Sequence, residues 1–383
     1  MDAKAPRDLF ACFDDLPDPR MERTKAHRLD DILAIAIVAV VCGAQGWTDV
    51  QQFGIAKYDW LKTILHLPNG IPSHDTFGRV FAMLDPEALE RCFLDWIGGL
   101  ITVSGQEALH IDGKTLRRSF DAASNKAAIH MVSAWASKAQ LTLAQVSTDA
   151  KSNEITAIPR LLDLITLHGA VVTIDAMGCQ RDIAAKIIDG GGDYILAVKK
   201  NQPTLYEDVK LLLDDGIEHR FTQMGYDLDQ QVDGGHGRVE TRRVWVTREV
   251  DWLRDRGQWK GLRGAVCVES VRQITGQKPT TERRYYITSI DHAQRGNDAA
   301  SLGQLIRDHW GIENKLHWSL DVTFGEDDSR VRQGHAAENL SRLRRIGLNL
   351  LKQEKTCKRG LAGKRLLAGW KNDYLLKVLG AAN

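Results

Sequence analysis

The chain has no two cysteines close enough in sequence to hold a metal between them or to frame a disulfide scaffold. Its six cysteines (Cys12, Cys42, Cys92, Cys179, Cys267 and Cys357) are scattered over 383 residues without a C-x-x-C unit. They read as buried free thiols in a reducing cytoplasm, with neither a disulfide framework nor a zinc site. A long apolar run is missing as well. The longest, Ile32 to Cys42, is eleven residues, and a bilayer span needs about twenty, so no membrane is expected as a partner. Met1-Asp2-Ala3-Lys4 sets no basic region before an apolar stretch, so no secretory leader is expected. Repeats and low-complexity tracts are absent. Net charge is close to absent, +1 overall, with 43% hydrophobic and 26% charged residues. Those are the values of an ordinary globular protein, and the length predicts two or three domains.

What net charge hides, its distribution shows. From Arg342 to Lys371 there are ten Lys or Arg and one acid, Glu354. Much of the negative charge lies in the middle of the chain. A basic tail beside an acidic centre suits a protein that grips phosphates and cuts them with metal. A solvated helix face is the plainer explanation of the same charges.

Residues 1–105 read as an all-helical N-terminal domain, a candidate for DNA binding. Leu29 to Cys42 is apolar nearly all round, the mark of a buried helix, and Thr48 can cap a segment from Asp49 to Leu65. Ser73 can cap a short helix after Pro72 that carries His74, Thr76 and Arg79, either a recognition helix for a DNA groove or half of a helical hairpin. Residues 106–214 change to short β runs: Ala108 to Ser119, Ile129 to Ser137 and Leu141 to Ser147 at hairpin spacing, then a helix from Ile155, a strand Val171 to Asp175, a helix from Cys179, a strand Tyr194 to Val198 and a helix Leu205 to Leu213. That order is the mixed α/β sheet of the ribonuclease H-like fold, in which the first and fourth strands lie side by side. Residues 215–295 read as a β-rich insertion, with runs Thr241 to Val246, Gly264 to Ile274 and Arg283 to Ile290. Residues 296–383 return to the core and end in basic helices.

Two of the apolar runs finish in Ile-Asp, at Asp112 and Asp175, and Glu313 follows on a helix. An aspartate at the end of a buried strand is costly unless something cationic meets it. Three acids converging from two adjacent strands and a helix would hold paired hard divalent cations, which catalyse in-line phosphoryl displacement. Gly113 and Gly178 would let a phosphate backbone approach. Glu326 is the reserve third acid. His309, Glu313 and His317, spaced four apart, share one face of an ideal helix, but the H-E-x-x-H pattern of a zinc helix is absent. Lys114, Lys199, Lys200 and Asn201 follow strand ends where a cation could clamp a phosphate. Arg307, Arg342, Arg344 and Arg345 are candidate DNA-backbone contacts on the last helices. Trp245, Trp252 and Trp259 could stack on an unpaired base or fill the core.

At these residues the chain resembles the DDE transposases of bacterial insertion sequences, in the H-repeat-associated (ISAs-type) branch. The likeness rests on His110-Ile111-Asp112-Gly113-Lys114-Thr115-Leu116-Arg117, Lys151-Ser152-Asn153-Glu154-Ile155, Thr173-Ile174-Asp175-Ala176-Met177-Gly178, the stretch from Arg307 through Trp318, Asp321, Glu326 and Asp327 to Leu351, and the N-terminal Leu16-Pro17-Asp18-Pro19-Arg20. The resemblance implies an enzyme dependent on Mg²⁺, with Mn²⁺ a possible substitute. It would bind the terminal inverted repeats of its element, cleave the strands and join the 3′ hydroxyls to target DNA. It also implies Asp112, Asp175 and Glu313 as the catalytic, metal-binding triad, double-stranded DNA as partner, and a homodimer in a synaptic complex. The auxiliary Tyr-Arg-Glu-Lys signature of related transposases is not reproduced here: Arg307 is six before Glu313, and Leu320 stands seven after it. A hydrolytic nuclease on the same fold, or an inactive DNA-binding remnant, are the alternatives.

Overall fold

A computed structural model describes residues 9–100, 107–120, 127–148, 153–222, 224–235, 237–291 and 299–380. Lys151 and Ser152 of the motifs above, and the boundaries expected near 105 and 295, lie outside the described residues.

The N-terminal third is helical: α1 (Leu29–Cys42), α2 (Trp47–Ala56), α3 (Tyr58–Leu61), α4 (His74–Met83) and α5 (Pro86–Leu100). Eleven of the fourteen residues of α1 are buried, as its all-round apolar pattern dictates. Even Asp31 is inside, where its carboxylate accepts the amides of His66 (3.2 Å) and Leu67 (3.0 Å). Gly46, rather than Thr48, caps α2. The expected cap of α4 is in place, with Ser73 Oγ accepting from the Thr76 amide at 3.2 Å. Among the described residues no single helix is long and apolar enough to cross a membrane; α1 and α2 pass such a test only as a pair bent by 95°.

The strands are β1 (Ala108–Thr115), β2 (His130–Ala136), β3 (Leu141–Ser147), β4 (Val171–Ile174), β5 (Asp193–Val198), β6 (Tyr226–Gly235), β7 (Arg238–Thr247), β8 (Gly264–Ile274) and β9 (Thr280–Thr288). They form one nine-stranded sheet in the order β3-β2-β1-β4-β5-β9-β8-β7-β6. β1 and β4 are parallel neighbours, with Ile111 opposite Ile174. The strands read as an insertion therefore extend the same sheet, because β9 pairs antiparallel with β5. β6 was not foreseen: nearly every residue in it is exposed, so it carries no apolar alternation to read.

Helices α6 (Glu154–Asp163), α7 (Arg181–Asp189) and α8 (Pro203–Glu218) pack into the main core with Leu109, Ile111, Val172, Ile174 and Leu196. Helix α9 (Ala299–Gly311) covers the other face, packing on Val171, Ile195, Val244 and Val266. Side chains alternate across a strand. His110 and Asp112 on β1, and Thr173 and Asp175 on and after β4, thus face α9. The chain then runs through π-helical turns at Ile312–His317 and Ser319–Thr323 into α10 (Ala336–Gln353), α11 (Leu361–Trp370) and α12 (Asn372–Val378). Sixteen of the eighteen residues of α10 are buried, packed against α1.

Candidate active site

Asp112, Asp175 and Glu313 line one cavity of about 350 Å³, walled also by Thr173, Lys199, Glu282, Arg284, His309 and Trp310. Asp112 comes from β1. Asp175 caps the short turn after β4, its carboxylate accepting the amides of Met177 (3.0 Å) and Gly178 (3.4 Å). Asn201, two residues past Lys199, donates to the Ala176 carbonyl at 2.6 Å and so pins that turn rather than reaching for a phosphate. Glu313 stands in the first π-helical turn after α9.

The electrostatics of the cavity are unusual for a folded interior. Burial, then the neighbouring charges of Glu154 and Asp175, push the Asp112 carboxyl up to about 7; Glu313 adds to the same effect. Asp175 is raised too, first by burial and then by Glu154, with the amides of its own turn and Lys199 opposing. The nearest basic group to Asp112 is His317, whose Nδ1 stands 3.5 Å away. Burial keeps that ring neutral by lowering it to about 4, so it supplies no counter-charge.

A fourth acid, Glu154, was quoted from the sequence only within a motif and given no role. It opens α6 and its Oε1 lies 2.7 Å from His130 Nε2 on β2, while Thr115 Oγ1 lies 2.9 Å from the other ring nitrogen. The only signal for it was its position after Asn153, which caps α6. Gly113 serves this pair: a Cβ there would collide with both Glu154 and His130. At Gly178 a Cβ would strike Ile174 and Ile158. Both glycines are explained by protein packing, not by an approaching phosphate.

Other expected residues are distributed differently. Lys199 is on the cavity wall, Lys200 is exposed beside it, and Arg307 lies in an adjoining groove of about 490 Å³ with Arg238, Arg242, Arg272, Arg284 and Lys315. Lys114 is not free for a phosphate. Its ammonium is held by Asp321 (2.7 Å), Asp327 (2.9 Å) and Glu326 (3.2 Å). Arg342, Arg344 and Arg345 are 4%, 2% and 3% exposed, which corrects their reading as DNA contacts. Arg342 pairs with Glu90 at 2.8 Å and Glu338 at 3.0 Å, Arg344 donates to the Gln45 carbonyl at 3.2 Å, and Arg345 donates to Ser341 Oγ at 3.4 Å. Glu326, the reserve acid, is 2% exposed and belongs to this network through Ser341 (2.7 Å). Trp245 and Trp259 are buried and Trp252 is exposed.

The donor set fits a hard divalent cation. It consists of carboxylate oxygens without thiolate, holding partly buried negative charge that lacks an adjacent counter-cation. As placed, no three His, Cys, Asp or Glu side chains among the described residues close on a single point. That also disposes of a His309–Glu313–His317 zinc trio. The π-helical turn shifts His317 off the face an ideal helix would give it, and His309 is committed to Thr173 at 2.8 Å.

A family model described as "Transposase DDE domain" matches residues 103–350, and one described as "DDE_Tnp_1-associated" matches residues 10–97. The Escherichia coli (strain K12) protein YhhI, provisionally assigned as an H repeat-associated transposase, is 40% identical over 95% of each chain. The uncharacterised protein of the dhlA 3′ region in Xanthobacter autotrophicus is 46% identical over 72% of this chain and 92% of its own. A relative named inactive transposase YbfQ, from Escherichia coli (strain K12), is 47% identical over 17% of this chain and 76% of its own.

Proposed function

The chain belongs to the DDE transposase family, and from that membership we propose that it cuts DNA at the inverted ends of an insertion element and joins the freed 3′ hydroxyls to target DNA. The observation that supports this reading is that Asp112, Asp175 and Glu313 all line one cavity, with acids rather than cations as the main charged neighbours of Asp112. We read β1 to β5 with α6 as a ribonuclease H-like core, the helices before residue 105 and the hairpins of 215–295 as its accessories, and the working unit as a homodimer on two DNA ends.

Asp112, Asp175 and Glu313 would hold Mg²⁺ or Mn²⁺, which supplies the Lewis acidity that activates the attacking oxygen and steadies the leaving one. The residues themselves do the positioning. The Asp175 carboxylate is held in place by two amides of its own turn, so it presents an oriented oxygen to the cavity. Lys199 on the wall offsets the charge of an entering phosphate. The adjoining groove continues the path, with Arg272 and Lys315 facing backbone phosphates, Arg307 in an exposed pair with Asp233 at 3.4 Å, and the exposed Trp310 ring beside Arg284 at 5.0 Å.

The test uses the full chain and duplexes carrying the element ends. Mg²⁺-dependent nicking and strand transfer are expected. Asp112→Ala should lower both by about a thousandfold or more while end binding persists. Nicking without transfer from pre-cleaved ends would point to the hydrolytic nuclease. An Asp112→Ala protein indistinguishable from wild type would sink the reading.

A further inference from the structure

Beneath the three acids lies a second layer built on the same elements. His110 stands two residues before Asp112 on β1, Thr173 two before Asp175 at the end of β4, and His309 near the end of α9, four before Glu313 in the π-helical turn. Strand alternation puts the first two on the same side as the acids they precede, and Thr173 and His309 line the same cavity as the three acids. The three meet. Thr173 Oγ1 is 2.6 Å from His110 Nδ1 and 2.8 Å from His309 Nδ1, and the two rings stand edge to face with centroids 5.8 Å apart. His110 and Thr173 are also direct partners in the β1–β4 register. One hydroxyl therefore ties together both strands and the helix.

We propose that His110, Thr173 and His309 form a hydrogen-bonded latch that sets the spacing of Asp112, Asp175 and Glu313 and so governs how tightly the site takes up divalent cations. All three are positioning residues, and the idea rests on the metal-site reading above. Hydrogen counting supports a defined bond pattern. The Thr173 hydroxyl is buried and has one hydrogen, and these two nitrogens are its partners. It donates to one ring and accepts from the other, so the two imidazoles carry their Nδ1 protons in opposite states. Misaligning residues that orient metal ligands commonly weakens metal binding or activity by about 10–100-fold.

Thr173→Val keeps the shape of the side chain and removes both hydrogen bonds. The full-length variant is compared with wild type by ¹⁵N-histidine NMR without metal, by Mn²⁺ titration followed by electron paramagnetic resonance, and by end cleavage against Mn²⁺ concentration. Wild type should show opposite Nδ1 protonation in His110 and His309. Thr173→Val should lose that signature and need roughly tenfold more Mn²⁺ for binding and for half-maximal cleavage. Thr173→Ser should recover most of both. If Thr173→Val does not fold, His309→Leu breaks the latch from the helix side and should give the same shift. Wild type and Thr173→Val with identical Mn²⁺ titrations, or two rings in the same protonation state, would overturn the latch alone. Wild type that neither takes up Mn²⁺ nor cuts end DNA would overturn the metal-site reading and the latch with it.

Discussion

Asp112 and Glu326 are both carboxylates largely withdrawn from water, and their surroundings drive them in opposite directions. Burial alone would raise each. Around Glu326, the charges of Lys114, Arg344 and Arg345 and the Ser341 hydroxyl more than offset burial and hold it below the ordinary glutamate range. Around Asp112 the neighbours are more acids, and it rises to about 7. Glu326 has its opposing charges supplied by the chain itself; Arg345, one of them, is itself pulled down by burial to about 10, and Glu326 is the first of the charges that oppose this. Among the described residues, the main charges acting on Asp112 include no cation, which is the contrast the proposed metal site rests on.

The comparison can be broken at either end. Glu326→Gln removes the buried anion shared by Lys114, Arg344 and Arg345, leaving Lys114 to Asp321 and Asp327. It should cost about 3–5 kcal/mol of stability, seen as a lowered denaturation midpoint; an unchanged midpoint would mean the network is not mutually dependent. Asp112→Asn should do the reverse in metal-free protein. Its folded carboxyl titrates near 7 against an ordinary 3.8. From about pH 4 to pH 7 the folded state thus keeps a proton the unfolded chain has lost, and stability falls as pH rises through that window. Asp112→Asn should therefore melt higher than wild type at pH 8, by a few kcal/mol at most, and level with it near pH 4. Wild-type Mn²⁺ affinity should weaken below pH 7, where the proton competes. The smallest effect is expected outside both regions. Arg272→Ala, in the exposed groove, should reduce the salt dependence of DNA binding by about one unit of slope, with little change in melting. An unaltered slope would take the groove out of the DNA path.

Sequence carried the parts of this arrangement that follow from continuous apolar runs. β4, β5 and the first halves of β1 and β8 are buried, and Asp112 and Asp175 were visible because each follows such a stretch, although β1 ends at Thr115 and not at the expected Ser119. That Glu313 lines the same cavity was suggested by strand order and a resemblance, since periodicity says nothing of which helix lies over which strand. Glu154 was overlooked for the same reason: its place beside Asp112 comes from the packing of α6 and the space left at Gly113. The arginines of α10 misled because helical Arg is usually exposed. Their partners Glu90 and Glu326 lie far off in sequence, and nothing local announces that three guanidinium groups will be enclosed.

The pairing of β9 with β5 has a practical meaning for anyone wishing to trim the molecule. The hairpins of 215–295 are not an appendage that can be clipped away, since doing so would bare the amides and carbonyls along β5, a strand that is otherwise nearly all buried. A bare strand of that kind invites pairing with another chain. At present that margin of the sheet is β6 instead, an exposed ribbon on which Asp227 and Asp229 weigh against a second strand adding beside the exposed Tyr226, Leu228 and Val232. The hairpins thus move that margin four strands beyond β5, farther from the acids.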